Sequence, residues 1–177
     1  MRELGLNAVV FVDVGRVEEG DREYLTWREL NTLQRSGRWD VQLQSGTGNH
    51  RIQYGPERED VGPFYAYRGS EEILGGWRER VFSDVTWAEE QLAFRVRGYR
   101  PLSFAPPYGN YGQAGTNDPR IPRELLARLL QSFEVVFTQD RSHFASPGSA
   151  NPLGRMEITR DVTEGELHAA LAPARLR

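Results

Sequence analysis

Trp39-Asp-Val-Gln-Leu-Gln-Ser-Gly-Thr-Gly-Asn-His50 is the stretch whose reading decides the fold. Trp39, Val41 and Leu43 alternate with Asp40, Gln42 and Gln44. A period of two is that of a β-strand with one packed face and one wet face. The strand then breaks into Ser45-Gly46-Thr47-Gly48, and Asn49 and His50 follow where a strand end opens onto a site. Upstream, Ala8-Val-Val-Phe-Val12 is a continuous apolar run ending at Asp13. It predicts a strand buried on both faces, of the kind found inside parallel sheets. Residues 16–24 read as a charged loop, and Thr26 with Glu29 has the spacing of a capping box. The helix it opens carries Leu30 and Leu33 and stops at Gly37, so strand, helix and strand make one β-α-β unit.

Downstream, residues 51–69 form a long irregular stretch whose aromatics, Tyr54, Phe64, Tyr65 and Tyr67, favour an ordered loop lining a site. Residues 70–96 are helical by the spacing of Ile73, Leu74, Trp77, Val81 and Leu92, with a break expected near Gly75-Gly76 or Asp84. A third strand at 99–105 runs into a second glycine- and aromatic-rich loop at 106–113, and Pro122 suits the start of a helix over 123–131. A fourth strand at 133–140, a polar loop at 141–154 and a fifth strand at 156–160 follow. Thr163 and Glu166 form another capping box, opening a helix through Leu171. This alternation predicts an α/β fold with a mostly parallel sheet and helices packed outside it. The long loops follow strands two, three and four, all at the strands' C-terminal ends, which places one concave site there.

A length of 177 residues suits one domain over 1–177, and 38% apolar with 27% charged content argues against disorder. A net charge of −3 leaves no basic footprint for nucleic acid, and the absence of Cys excludes disulfides and thiolate chemistry. Every basic side chain apart from histidine is Arg, a pattern that fits coding bias. No signal-peptide pattern opens the sequence, and no apolar run approaches the roughly 18 to 20 residues of a membrane span. Localisation is left open.

Three segments in order carry a likeness: Ala8-Val-Val-Phe-Val12, then the stretch from Ser36 through Trp39 to His50, then Phe104-Ala-Pro-Pro-Tyr-Gly-Asn-Tyr-Gly-Gln113. Together they resemble the polysaccharide deacetylases of the NodB-homology type, carbohydrate esterase family 4-like. The nearest branch is the one acting on poly-N-acetylglucosamine-like polymers. The resemblance implies an incomplete or distorted (β/α) barrel. It also implies a divalent metal, commonly zinc, held by one Asp and two His, with metal-activated water attacking an N-acetyl carbonyl. The family's paired aspartates would precede the Ala8 strand by one β-α unit, so the chain is expected to lack that first unit; Asp13 matches the strand after it. The first metal-histidine position matches Gln44, and the second falls at Asn49 or, with a one-residue shift, at His50. A neutral amide is a poor zinc ligand. Pro107-Tyr108 matches the family's Pro-Tyr, where the aromatic residue's backbone N–H helps hold the oxyanion, and Ala105 stands where an Arg often precedes it.

The expected site thus comprises Tyr108 and His143 as catalytic candidates, Gln44, Pro107, Tyr108 and Asp140 toward substrate, and His50 with Asn49 toward metal. His143 lies in the loop after the fourth strand, and Asp140 and Asp161 end strands on the site side, where caps are an alternative role. His168 reads as a surface or packing residue of the last helix. Tyrosines of the two long loops suit stacking on a pyranose. Two functions compete: a metal-dependent N-deacetylase of an N-acetylglucosamine-type polymer, inactive as an isolated chain, or a non-catalytic carbohydrate-binding relative. A glycosidase using Asp13, Asp140 and Asp161 is a distant third. The partner is an N-acetylated polysaccharide, nucleic acid is not expected, and the unpaired edge of the Ala8–Val12 strand favours self-association.

Overall fold

The computed structural model describes residues 5–96, 99–139 and 151–171. Asp140 and His143, both expected in the site, lie outside the described residues. The elements are β1 (Ala8–Asp13), α1 (Val14–Glu19), α2 (Trp27–Arg35), β2 (Trp39–Ser45), β3 (Arg51–Gln53), β4 (Val61–Pro63), α3 (Leu74–Arg95), β5 (Ser103–Phe104), α4 (Ile121–Ser132), β6 (Val135–Thr138), β7 (Leu153–Gly154) and α5 (Glu164–Leu171). Five strands form one sheet in the order β1-β2-β5-β6-β7, every pair parallel, as the alternation predicts.

Leu43 of β2 lies opposite Phe104 of β5, and Phe104 opposite Val136 of β6. On the helical side Val12, Val41, Leu43 and Val136 join the buried face of α3 (Trp77, Val81, Val85, Ala88, Leu92) and Leu125 and Leu129 of α4 in one core. On the other side the rings of Phe11 in β1 and Phe137 in β6 meet edge to face at 5.5 Å. Those strands are three apart in sheet order, about 14 Å in a flat sheet. Two phenylalanines at that separation meet readily only if the sheet curls toward them. The sheet is therefore curved around a concave face; among the described residues its two outer strands, β1 and β7, are not paired with each other.

Several elements differ from expectation. The apolar run of β1 stands at the edge of the sheet among the described residues, as its expected unpaired edge requires, but it is not buried on both faces: Val9 is 47% exposed. A short apolar run carries no information on its place in the sheet. Residues 14–19 are helical, ended by Gly20 in the left-handed region at φ 70°, where a loop was expected. The long 51–69 stretch is ordered by an antiparallel β3–β4 hairpin. α3 runs unbroken for 22 residues because its glycines fall in the first turn, where few helical bonds depend on them. The last strand lies at Leu153–Gly154, ahead of the expected 156–160. Both capping boxes form: Thr26 Oγ1 accepts from Glu29 N and Thr163 Oγ1 from Glu166 N.

Candidate functional site

The C-terminal ends of β1 and β2 and the segments that follow them build two neighbouring clefts that meet at Asp13. One, of about 200 Å³, is lined by Asp13, Gly15, Arg16, Thr47, Asn49 and His50 among others. The other, of about 190 Å³, is mostly apolar and runs along β1, with Val10, Val12, Tyr24, Leu25, Leu30 and Gln44 in its walls. The structure therefore brings Asn49 and His50 together and places Gln44 in the second cleft, behind Asp13.

Asp13 is 4% exposed, and its Oδ2 makes no well-formed hydrogen bond among the described residues. Burial raises the pKa of this carboxyl, opposed by polar contacts from the Asn49 side chain, the Arg16 backbone N–H and the Ser45 hydroxyl. His50 faces outward: Nδ1 lies 3.0 Å from the Thr47 carbonyl, and its ring packs at 5.1 Å against Phe64. Arg80 locks Phe64 in turn, with its guanidinium 4.2 Å from the ring centroid and Nη1 donating to the Phe64 carbonyl.

The Gly46-Thr47 turn is held by Asp84, one of the two places where a break in α3 is expected from the sequence. Asp84 lies on the buried face of α3, and its carboxylate accepts from Gly46 N at 3.0 Å, from Thr47 N at 2.7 Å and from Thr47 Oγ1 at 2.8 Å. Tyr65 donates its hydroxyl to the same carboxylate, and burial together with that charge pushes the phenol's pKa well up. The approach is close enough that a Cβ on Gly46 would come within 2.6 Å of Asp84 Oδ1. A signal was present: Asp84 falls three residues after Val81 and four before Ala88, squarely on the apolar stripe, where a carboxylate must have a partner.

On the expected wet face of β2, Asp40 is exposed and Gln44 half-buried, but the middle residue is dry. Gln42 is buried, its Oε1 accepts from Leu102 N at 2.9 Å and Ser103 N at 2.6 Å, and its Nε2 bonds Asp40 and the Tyr99 hydroxyl. It fastens β2 to the start of β5 and is not open to a ligand.

The second rim follows β5. Pro107 is buried, and Tyr108 projects outward, 46% exposed. Tyr108 is the one non-glycine residue with positive φ among the described residues, at φ 60° and ψ 12°. A side chain in that region is strained by about 1–2 kcal/mol. Its backbone N–H has no partner among the described residues. The strain is fixed by the next residue: Gly109, also at positive φ, has its carbonyl taken by Gln113 Nε2 and Thr138 Oγ1. Arg51, the residue after His50, reaches over the Tyr108 ring at 5.5 Å, so the two rims meet there. Of the expected sugar-stacking aromatics, Tyr65 is buried in the core and Tyr54 stacks on Tyr67 at 4.7 Å, which leaves Tyr108 as the best displayed ring. Asp161 and His168 are exposed.

The resemblance implies a zinc, and the donor set can be tested against it. Among the described residues no three of His, Cys, Asp and Glu converge on a point that could hold a metal ion. Asn49 is an amide engaged with Asp13, and His50 is turned toward the Thr47 carbonyl. The described residues do not fit the metal on their own.

No protein-family model matches this sequence, and no curated protein matches it. Solved structures do. A de-N-acetylase from Aggregatibacter actinomycetemcomitans superposes with a TM-score of 0.70 at 16% identity, over 84% of this chain and 53% of its own. IcaB from Ammonifex degensii gives 0.68 at 22% identity, over 96% and 63%. The BpsB deacetylase domain from Bordetella bronchiseptica gives 0.68 at 17%, over 88% and 62%. The fold is that of the polysaccharide deacetylases, as the three sequence segments implied. The chain spans 53 to 63% of the length of these three structures. No described helix is long and apolar enough to cross a membrane.

Proposed function

We propose that this chain binds an N-acetylated polysaccharide of the N-acetylglucosamine type across the strand ends, as a carbohydrate-binding form of the deacetylase fold that does not hydrolyse its ligand unaided. The observation that carries the reading is the combination of a strained, outward Tyr108 with a donor set at Asp13, Asn49 and His50 that does not converge on a metal. A displayed phenol ring stacks on the apolar face of a pyranose, and the polar cleft beside it offers amide, imidazole and carboxyl groups to hydroxyl and N-acetyl substituents. Binding of chitotetraose by calorimetry tests this. Loss of at least tenfold in affinity in Tyr108→Ala is expected, and no measurable binding by the wild-type chain refutes it.

A specific observation favours a second reading, N-deacetylation. The Tyr108 N–H without an acceptor among the described residues is suited to a developing oxyanion, and Asp13 is a buried carboxyl with a raised pKa. This reading requires metal donors beyond those assembled here, for which Asp140 and His143 remain candidates. Release of acetate from chitotetraose by the purified chain with added zinc would replace the binding reading with this one. The edge of β1, unpaired among the described residues, also supports pairing with a second copy, and a monomer by sedimentation at micromolar concentration would count against it.

A further inference from the structure

Arg155 follows β7 immediately. Its backbone N–H donates to the Thr138 carbonyl at 2.7 Å, so it belongs to the strand-end layer that also supports Gly109. Its guanidinium lies 5.2 Å over the ring of Phe11 on the concave face, beside the Phe11–Phe137 contact. The side chain is half-buried, its Nε is fully buried, and no acceptor among the described residues meets it. Burial lowers its pKa, with no carboxylate among the described residues opposing that effect.

Other partly buried arginines differ. Arg80 is forked onto Glu72 with Nε–Oε1 2.7 Å and Nη2–Oε2 2.8 Å, and Arg68 lies 3.1 Å from Asp118. A desolvated guanidinium that finds only an aromatic face among the described residues is costly, and a planar oxyanion is the partner its fork fits best. Phe11 lines the apolar cleft, and two residues along the same strand stands Asp13, where the two clefts meet, so the cation lies beside the site.

We propose that Arg155 is the carboxylate-reading residue of this site, and that the polysaccharide it binds carries acidic as well as N-acetylated sugars. This rests on the glycan-binding reading for the source of the carboxylate. The same chemistry could come from free acetate, and the test separates the two.

Wild-type protein labelled with ¹⁵N-arginine is titrated with hyaluronan tetrasaccharide, chitotetraose and sodium acetate while the Arg155 Nε–Hε resonance is followed. Affinities for the two sugars are measured in parallel. The expected result is a preference of at least tenfold for the acidic tetrasaccharide with a shift of the Arg155 resonance. In Arg155→Met the preference falls to near one, and in Arg155→Lys, which keeps charge and stem without the fork, it falls by a smaller factor. If acetate alone shifts the resonance and neither sugar binds, carboxylate reading stands with the free acid as its source, and the glycan reading fails. If both sugars bind equally and the resonance does not move, the Arg155 proposal is overturned and the glycan reading survives. If nothing binds, both fall. The wild-type resonance decides the matter even if a variant does not fold.

Discussion

The two rims of the strand-end site are held in different ways. The rim after β2 is anchored from a distance: Asp84, on a helix 37 residues further along the chain, gathers Thr47 through two hydrogen bonds and Gly46 and Tyr65 through one each. The rim after β5 is held mainly by its own neighbours. Asn110 Oδ1 accepts from Gly112 N at 2.7 Å, Gln113 reaches back to the Gly109 carbonyl, and Tyr108 sits strained between them. One rim is a satisfied polar network hung on a carboxylate. The other stores strain beside a displayed ring. A ligand that bridges them through Arg51 and Tyr108 therefore meets one fixed wall and one tensioned wall.

The sharpest way to break that contrast is Asp84→Ala. It leaves two backbone N–H groups and a buried tyrosine hydroxyl without an acceptor, and unfolding in urea should show a loss of about 3–5 kcal/mol. Asp84→Asn keeps the shape but supplies one acceptor oxygen and should lose less. A loss under about 1 kcal/mol for Asp84→Ala would mean that the first rim holds itself.

Next in size is Gly109→Ala on the second rim. The backbone there is at φ 60°, and an added Cβ would come within 2.4 Å of Gln139 Cβ. Strain and clash together should cost about 2–3 kcal/mol by the same measurement. The change should also disturb Tyr108 and lower affinity for chitotetraose, whereas Asp84→Ala should act on that affinity only through the first rim.

Parts of this contrast were legible in the sequence and parts were not. The second rim could be read because Pro106-Pro107-Tyr108-Gly109-Asn110 sets its own backbone locally. The capping boxes at Thr26 and Thr163 and the β-α alternation were legible for the same reason. The first rim could be read only in part: Asp84's place on the apolar stripe of α3 marks it as needing a partner, but that the partners are Gly46 and Thr47, 38 and 37 residues away, leaves no periodic trace. Gln42 misled because alternation reports which face a residue occupies and not whether β5 covers that face. Arg155, which no motif marks, became visible only when the curvature of the sheet set it over Phe11.

Acid separates two carboxylates of opposite character. Asp118, on the second rim, is held down to about 2, first by the hydrogen bonds from Arg120 and further by the Arg68 charge. Its folded pKa lies below the usual 3.8, so the stability it contributes is complete above about pH 4 and is lost as pH falls toward 2. Asp13 is raised by burial, so its contribution runs the other way: it is fully present below about pH 4 and is lost as pH rises through its folded pKa. Asp118→Asn should lower Tm by several degrees at pH 7 and make little difference near pH 2. Asp13→Asn should raise Tm by a few degrees at pH 7, since an amide avoids the buried charge, and that gain should vanish in acid. A Tm for Asp13→Asn that falls at neutral pH would show that the ionised carboxylate is needed where it stands.

The smallest effect is also the most discriminating. Tyr108→Gly removes a side chain from the left-handed region and should stabilise the fold by up to about 1 kcal/mol, because glycine adopts φ 60° without penalty and the entropy it gives up offsets part of the gain. The same change removes the displayed ring, so affinity for chitotetraose should fall at least tenfold. Stability and binding moving in opposite directions is what strain kept for a ligand produces. The first rim offers no such pair: loss of Asp84 should lower stability, and whatever affinity depends on that rim should fall with it. If Tyr108→Gly destabilises the fold instead, the ring is packing the second rim in place, and the tension ascribed to that wall is ordinary loop structure.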